Sequence, residues 1–250
     1  MSHKLGARRF FAATASAIQG QGRAMLASAP WSLAAFMLTL PVALMSANLF
    51  PYAGWPLLAL ALVNLIALAR MTFAWHRVIG LQGPAGAADA RGGTAEARHL
   101  ALLGLLVLAV AALARATGDL PFLVYVLTNG SGDHLFWIAL AAALMLVWLP
   151  VLYALALYGQ ALPRVAATGE YGFRGLRAAT PYPCWPLMLA LLLLTALAGY
   201  AGYALRTQIY EYPEVGMAQG VLAAVLCMPV LFVVMAMYAV AYRDSAPGRA

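Results

Sequence analysis

The 250-residue chain is 64% hydrophobic and only 9% charged, with 15 Lys and Arg against 8 Asp and Glu and a net charge of +7. A soluble domain carries about a quarter charged residues, so this composition excludes a water-facing shell around one core and calls for a second apolar solvent, which a bilayer supplies. The positive charges are few and scattered between apolar runs, which excludes a nucleic-acid groove and leaves membrane topology as their reading.

The chain opens on a basic segment, residues 1–28, too mixed to be the apolar core of a leader peptide. Arg8 and Arg9 beside Phe10 and Phe11 predict an interfacial helix there. Six apolar runs of spanning length follow: Trp31 to Phe50, Trp55 to Ile79, His99 to Thr117, Leu135 to Tyr158, Trp185 to Leu205 and Val215 to Tyr242. Backbone groups in hydrocarbon must pair internally, in helices or closed barrels. Barrel strands alternate in polarity, and runs such as LALLLLTALAG do not. The spans are therefore helices.

Placing the N-terminus inside puts Lys4, Arg8, Arg9, Arg23, Arg70, Arg77, Arg91, Arg98, Arg164, Arg174, Arg177, Arg243 and Arg249 on the cytoplasmic side. Only Arg115 and Arg206 fall on the other side. Thirteen against two fits the positive-inside rule with an even number of spans. Among the outer loops, DLPFLVYVLTNGSGDH has an apolar middle suited to the interface, and Tyr210 and Tyr212 suit a headgroup belt. Among the inner loops, the segment from Gln82 is rich in Gly and Ala, which predicts a flexible linker. The loop from Gln160 to Pro183 mixes apolar residues with arginines, which predicts an interfacial elbow.

Few residues inside the spans carry chemistry. Arg70 lies within the second run, six residues before His76. A charge there either snorkels to the headgroups or makes an internal pair. Arg77 falls on nearly the same helical face, and the two together suit a phosphate headgroup. His76 and His99 end one span and begin the next, which predicts interfacial histidines more readily than haem ligands. Asn48 and Asn64 read as polar packing residues between helices. None of the eight acids falls in mid-membrane, which argues against proton-coupled transport. Cys184 and Cys227 show no metal or disulfide spacing and read as apolar fillers. Pro41, Pro150 and Pro229 predict kinks. Gly216 with Gly220, and Ala198 with Gly202, predict close helix contacts. There is no nucleophile elbow, HExxH, P-loop or dinucleotide fingerprint.

Two inner segments, FAWHRVIGLQG from Phe73 and LPRVAATGEYGFRGLRAAT from Leu162, resemble a pair of motifs in bacterial inner-membrane proteins. These are the YciC-like proteins and the membrane domain attached to some glycerophosphodiester phosphodiesterases. Trp75, His76 and Arg77 match the first motif; Pro163, Ala166 and Gly169 match the second. Gln82 stands where relatives often carry an acid. The resemblance implies six spans with both termini inside. It implies no phosphodiesterase activity, since that catalytic domain has no counterpart in this chain.

The expectation is one all-α domain over residues 1–250, a polytopic membrane protein of six transmembrane helices arranged as three hairpins. Interfacial helices lie at the N-terminus and after the fourth span. Its expected place is the bacterial inner membrane, with both termini cytoplasmic. Its expected role is non-enzymatic: organising or contacting lipids, or serving as an accessory subunit. The alternatives are a transporter or permease for a small solute, with Arg70 facing a cavity, and a haem-binding electron-transfer protein. Arg70, His76, Arg77, Arg174 and Arg177 are the candidate binding residues. No catalytic residue, metal or cofactor is expected. The expected partners are membrane lipids, with a protein partner or a second copy of the chain and no nucleic acid.

Overall fold

Long apolar runs satisfy their backbone groups locally, and in the computed structural model they do so as helices. The structure describes residues 6–49, 54–81, 93–130, 132–173, 180–210 and 217–245, and every regular element among them is helical. In chain order these are α1 Ala7–Ser28, α2 Pro30–Leu49, α3 Trp55–Gly80, α4 Thr94–Thr117 and α5 Leu120–Leu127. They continue with α6 His134–Tyr158, α7 Ala161–Thr168, α8 Trp185–Tyr210 and α9 Met217–Ser245. Among the described residues five stretches are long and apolar enough to cross a membrane. They number six if α1 and α2, which meet at 84°, form one bent span. The protein is an all-α polytopic membrane protein.

Local chemistry sets the boundaries. Pro30 opens α2, and the residue before a proline is driven out of the helical region; Ala29 accordingly sits at φ −145°, ψ 57°, where α1 stops. The Asp133 carboxylate caps α6 by accepting from the Leu135 and Phe136 amides at 3.0 and 3.2 Å. Gly169 ends α7 at φ 78° and donates its amide to the Val165 carbonyl at 2.8 Å, the left-handed termination that glycine adopts without strain. The predicted elbow after the fourth span is therefore a short helix with a glycine stop. The apolar outer loop folds as α5, with Phe122 and Leu127 exposed. The third span starts at Thr94, five residues before the expected His99, because the polar turn TAEAR continues the helix.

α2 packs along α3, and α8 along α9. The Asn64 amide ties the first pair, donating to the Phe36 carbonyl at 2.9 Å and to Thr39 Oγ1 at 3.0 Å. Gly220 ties the second, where a Cβ would crowd Ala204 and Leu205 of α8. The middle pair behaves differently: α4 packs chiefly on α3 and α7, and α6 on α5 and α8.

The two ends of the bundle differ. Towards one end, helices α3, α4, α6, α8 and α9 each expose an apolar side. Towards the other, residues 71–80 of α3 are buried all round except for half-buried Arg77, and residues 234–241 of α9 are all buried. Small side chains make this closed end possible, with Ala156, Ala161, Ala166, Ala236 and Ala239 fully enclosed. α1 lies against α3 and α9 there, with Phe10, Thr14, Ala17, Gly22 and Met25 turned inward. Four tryptophans stand exposed in the first turns of α2, α3, α6 and α8: Trp31, Trp55, Trp137 and Trp185. Trp31 and Trp185 mark the closed end and Trp55 and Trp137 the open end, the arrangement of two interfacial belts.

Candidate functional site: the closed end and its elbow

His76 and His99 come together inside the closed end. Both are fully buried, and their rings meet edge to face with centroids 5.4 Å apart. This corrects the expectation of interfacial histidines. The helices continue past both residues, and α1, α7 and α9 cover what hydropathy alone reads as a membrane surface.

The roles of the two rings differ. His99 Nδ1 lies 3.3 Å from the Leu162 carbonyl of α7. A carbonyl only accepts, so Nδ1 carries the proton, and Nε2 lies as an acceptor 3.0 Å from the Thr72 hydroxyl, whose one proton is shared with the Leu68 carbonyl at 2.8 Å. His99 thus links α4, α3 and α7. Among the described residues neither ring nitrogen of His76 meets a partner in hydrogen-bonding geometry. It stands beside the His99 ring and the backbone of Met235.

The arrangement limits the chemistry. Thr72 and His99 have the spacing of a hydroxyl nucleophile and its base, but neither is exposed at all, so no substrate reaches them. A haem held by both histidines would need its macrocycle between the rings. Here the rings touch, and both nitrogens of His99 are engaged. Among the described residues no three His, Cys, Asp or Glu side chains gather as a metal ligand set. Cys184 and Cys227 are both free thiols.

Around the histidines, arginines hold the elbow by its carbonyls. Arg77 Nη1 donates to Ala166 O at 3.1 Å, and its guanidinium lies 5.7 Å from the Phe73 ring centroid. Arg98 Nη1 donates to Gly169 O at 2.6 Å, and the Tyr171 hydroxyl donates to Arg98 O at 3.3 Å. Arg164 Nη1 donates to Gly172 O at 3.3 Å. Gly172 has φ 53°, and a Cβ there would overlap the Arg164 guanidinium. The segments 73–83 and 162–180 therefore meet in space through Arg77 and Ala166, and Arg98 of α4 adds a second tie at Gly169.

Arg70 stands apart. Its side chain is 58% exposed, and its Nε bonds Glu96 Oε1 at 2.9 Å. It does not join Arg77 over a shared phosphate, because Arg77 turns into the elbow and Arg70 turns out beside α4. Arg174 and Arg177 lie outside the described residues. Sequence reasoning passed over a second polar cluster, in which Tyr182 donates to Asp244 Oδ2 at 2.6 Å and stacks on Phe10 at 4.5 Å. The Gln160 side chain bonds Thr180 and the Ala156 carbonyl nearby. Aromatic residues in both the N-terminal segment and the elbow were its only sequence signal.

Comparison with protein-family models, with curated proteins and with solved structures finds no match.

Proposed function

We propose that this is a non-enzymatic inner-membrane protein that contacts and organises lipids on the face formed by its closed end. That end faces the cytoplasm with both termini. The observation that carries this reading is the geometry of α1. The helix turns through 84° from α2 and buries one side on the bundle. It leaves Arg8, Arg9 and Arg23 exposed, with no acid along its length. Phe11 and Trp185, both about half exposed, stand edge to face at 6.3 Å beside those arginines. A helix with a basic outer side and flanking aromatics suits a surface of anionic headgroups. The gathering of Arg77, Arg98, Arg164 and Arg243 at the same end supports the orientation, since positive residues stay on the cytoplasmic side.

The test is lipid retention by the full chain in nanodiscs that contain phosphatidylglycerol. The triple variant Arg8→Gln, Arg9→Gln, Arg23→Gln should retain anionic lipid about a hundredfold less, since each of the three basic residues near an anionic surface contributes about 1 kcal/mol. Unchanged retention in a folded triple variant would refute the reading.

A further inference from the structure

Much of the closed end is tied together by side-chain hydrogen bonds. His99 joins α4 to α3 and α7, Arg77 joins α3 to α7, and Tyr238 joins α9 to α6. α1 is held differently. Among the described residues, no hydrogen bond or ion pair joins residues 7–27 to another element. Apolar contact holds it instead: Phe10, Ala17 and Met25 are buried, Phe10 stacks on Tyr182, and Gly22 lies against Phe232 of α9.

Three features loosen the docked position. Gln21 Oε1 is buried, and among the described residues it meets no hydrogen-bond partner; an acceptor left in that state is costly. Gly20 and Gly22 lie inside the helix, where glycine weakens it. Space does not demand either one: a Cβ at Gly20 would meet nothing within 4 Å, and one at Gly22 would make an ordinary contact at 3.7 Å. A single residue, Ala29, connects α1 to α2, at backbone angles outside the helical region.

An amphipathic helix beside a membrane has a second host for its apolar side. Phe10, Ala17 and Met25 also bury among acyl chains at the interface, with Arg8, Arg9 and Arg23 turned to the headgroups. The transfer of apolar surface out of water is then common to both positions and largely cancels. What separates them is small. The Phe10–Tyr182 stack favours the docked position, and the Gln21 carbonyl, which regains water at the interface, favours the other.

We propose that α1 is a releasable strap. It pivots at Ala29 between a docked position on α3 and α9 and an undocked position in the interface of the bilayer, with the Phe10–Tyr182 stack as its catch. Release bares Phe232 and the neighbouring sides of α3 and α9. The proposal rests on α1 being the lipid-contacting helix.

The experiment is a distance measurement by double electron–electron resonance on the full chain in nanodiscs that contain phosphatidylglycerol. Spin labels are attached through Ala12→Cys on the exposed side of α1 and Thr94→Cys in the first turn of α4, with Cys184→Ser and Cys227→Ala removing the native thiols. The chain should show two distances, docked and undocked. Gln21→Met should raise the docked-to-undocked ratio about tenfold, the effect of removing one buried acceptor without a partner. Phe10→Leu keeps an apolar side chain, removes the ring stack and should lower the ratio about fivefold. Opposite shifts in the two variants support the strap. A single distance in the wild-type sequence and in both variants overturns it, as do shifts in the same direction. Should Phe10→Leu fail to fold, Tyr182→Leu removes the stack from the other side and decides the matter. Unchanged lipid retention by the triple arginine variant sinks the lipid reading of α1, whereas a single distance sinks the strap alone and leaves that reading standing.

Discussion

The imidazole rings of His76 and His99 touch edge to face at 5.4 Å inside the closed end, yet among the described residues only His99 meets partners in hydrogen-bonding geometry. One ring is a joint between three helices, and the other fills space beside it. Buried groups without partners carry a desolvation cost that an apolar residue of similar volume avoids. His76→Leu should therefore leave stability within about 1 kcal/mol of wild type, or raise it. His99→Leu removes the bonds to Thr72 and Leu162 and should cost about 1–3 kcal/mol. Thermal unfolding of the detergent-solubilised variants reads both. If His76→Leu proves as damaging as His99→Leu, His76 does something beyond filling space.

Gly159, the residue that caps α6, lies against Tyr238 of α9. The Tyr238 hydroxyl donates to the Leu155 carbonyl at 2.7 Å, and a Cβ on Gly159 would overlap the Tyr238 ring. Gly159 has an ordinary helical φ of −61°, so space alone demands glycine. Gly159→Ala should destabilise by about 1–3 kcal/mol through overpacking. The same substitution should be milder in a Tyr238→Leu background, where the ring is gone. Equal costs in both backgrounds would show that the alanine acts elsewhere.

Length and apolarity carried most of the fold in the sequence. Runs such as 185–205 leave no structure but a helix, and Pro30, Asp133 and Gly169 set ends by local chemistry. The closed end was not legible. VMAMYAVA in α9 is no more apolar than the lipid-exposed VLAAVL that precedes it, although the first is enclosed and the second is partly exposed. Hydropathy scores transfer out of water and does not distinguish protein from lipid as the destination. For the same reason the histidines looked interfacial. Arg70 and Arg77, seven residues apart, looked like partners on one face. The cation–π contact with Phe73 and the free carbonyl at the end of α7 draw Arg77 away, and no spacing rule contains those.

Tyr182 gives the closed end a pH signature. Burial, and then the hydrogen bond to Asp244, push its phenol from 10.0 up to about 12. In the unfolded chain the phenol ionises near 10. Folding therefore favours the protonated form. That contribution is complete below pH 10 and is lost as pH rises towards 12. The difference in unfolding temperature between wild type and Tyr182→Phe should be constant up to about pH 9 and shrink from 10 to 12. Wild type should lead at neutral pH by the value of one hydrogen bond. A difference that stays constant through pH 12 would mean that Tyr182 is not enclosed as described.

The elbow is held from two sides, by Arg77 on the Ala166 carbonyl and by His99 on the Leu162 carbonyl, one turn apart on α7. Breaking either bond leaves the other to keep the short helix docked. Breaking both leaves α7, which has only eight residues and no stability of its own, with the Arg98 bond at the Gly169 carbonyl as its polar tie to α4. Arg77→Met keeps the side-chain length, and its apolar stem continues to pack on Phe73, while the donors are lost. Arg77→Met alone should cost about 1–2 kcal/mol, the value of a hydrogen bond to a charged group. The double variant Arg77→Met, His99→Leu should cost more than the sum of the two single losses, by about 0.5 kcal/mol or more, because the groups act on one element. A double-variant cycle on thermal unfolding measures this directly. Strict additivity would mean that α7 is anchored chiefly through its buried Leu162, Pro163, Val165 and Ala166, with the two polar bonds acting independently.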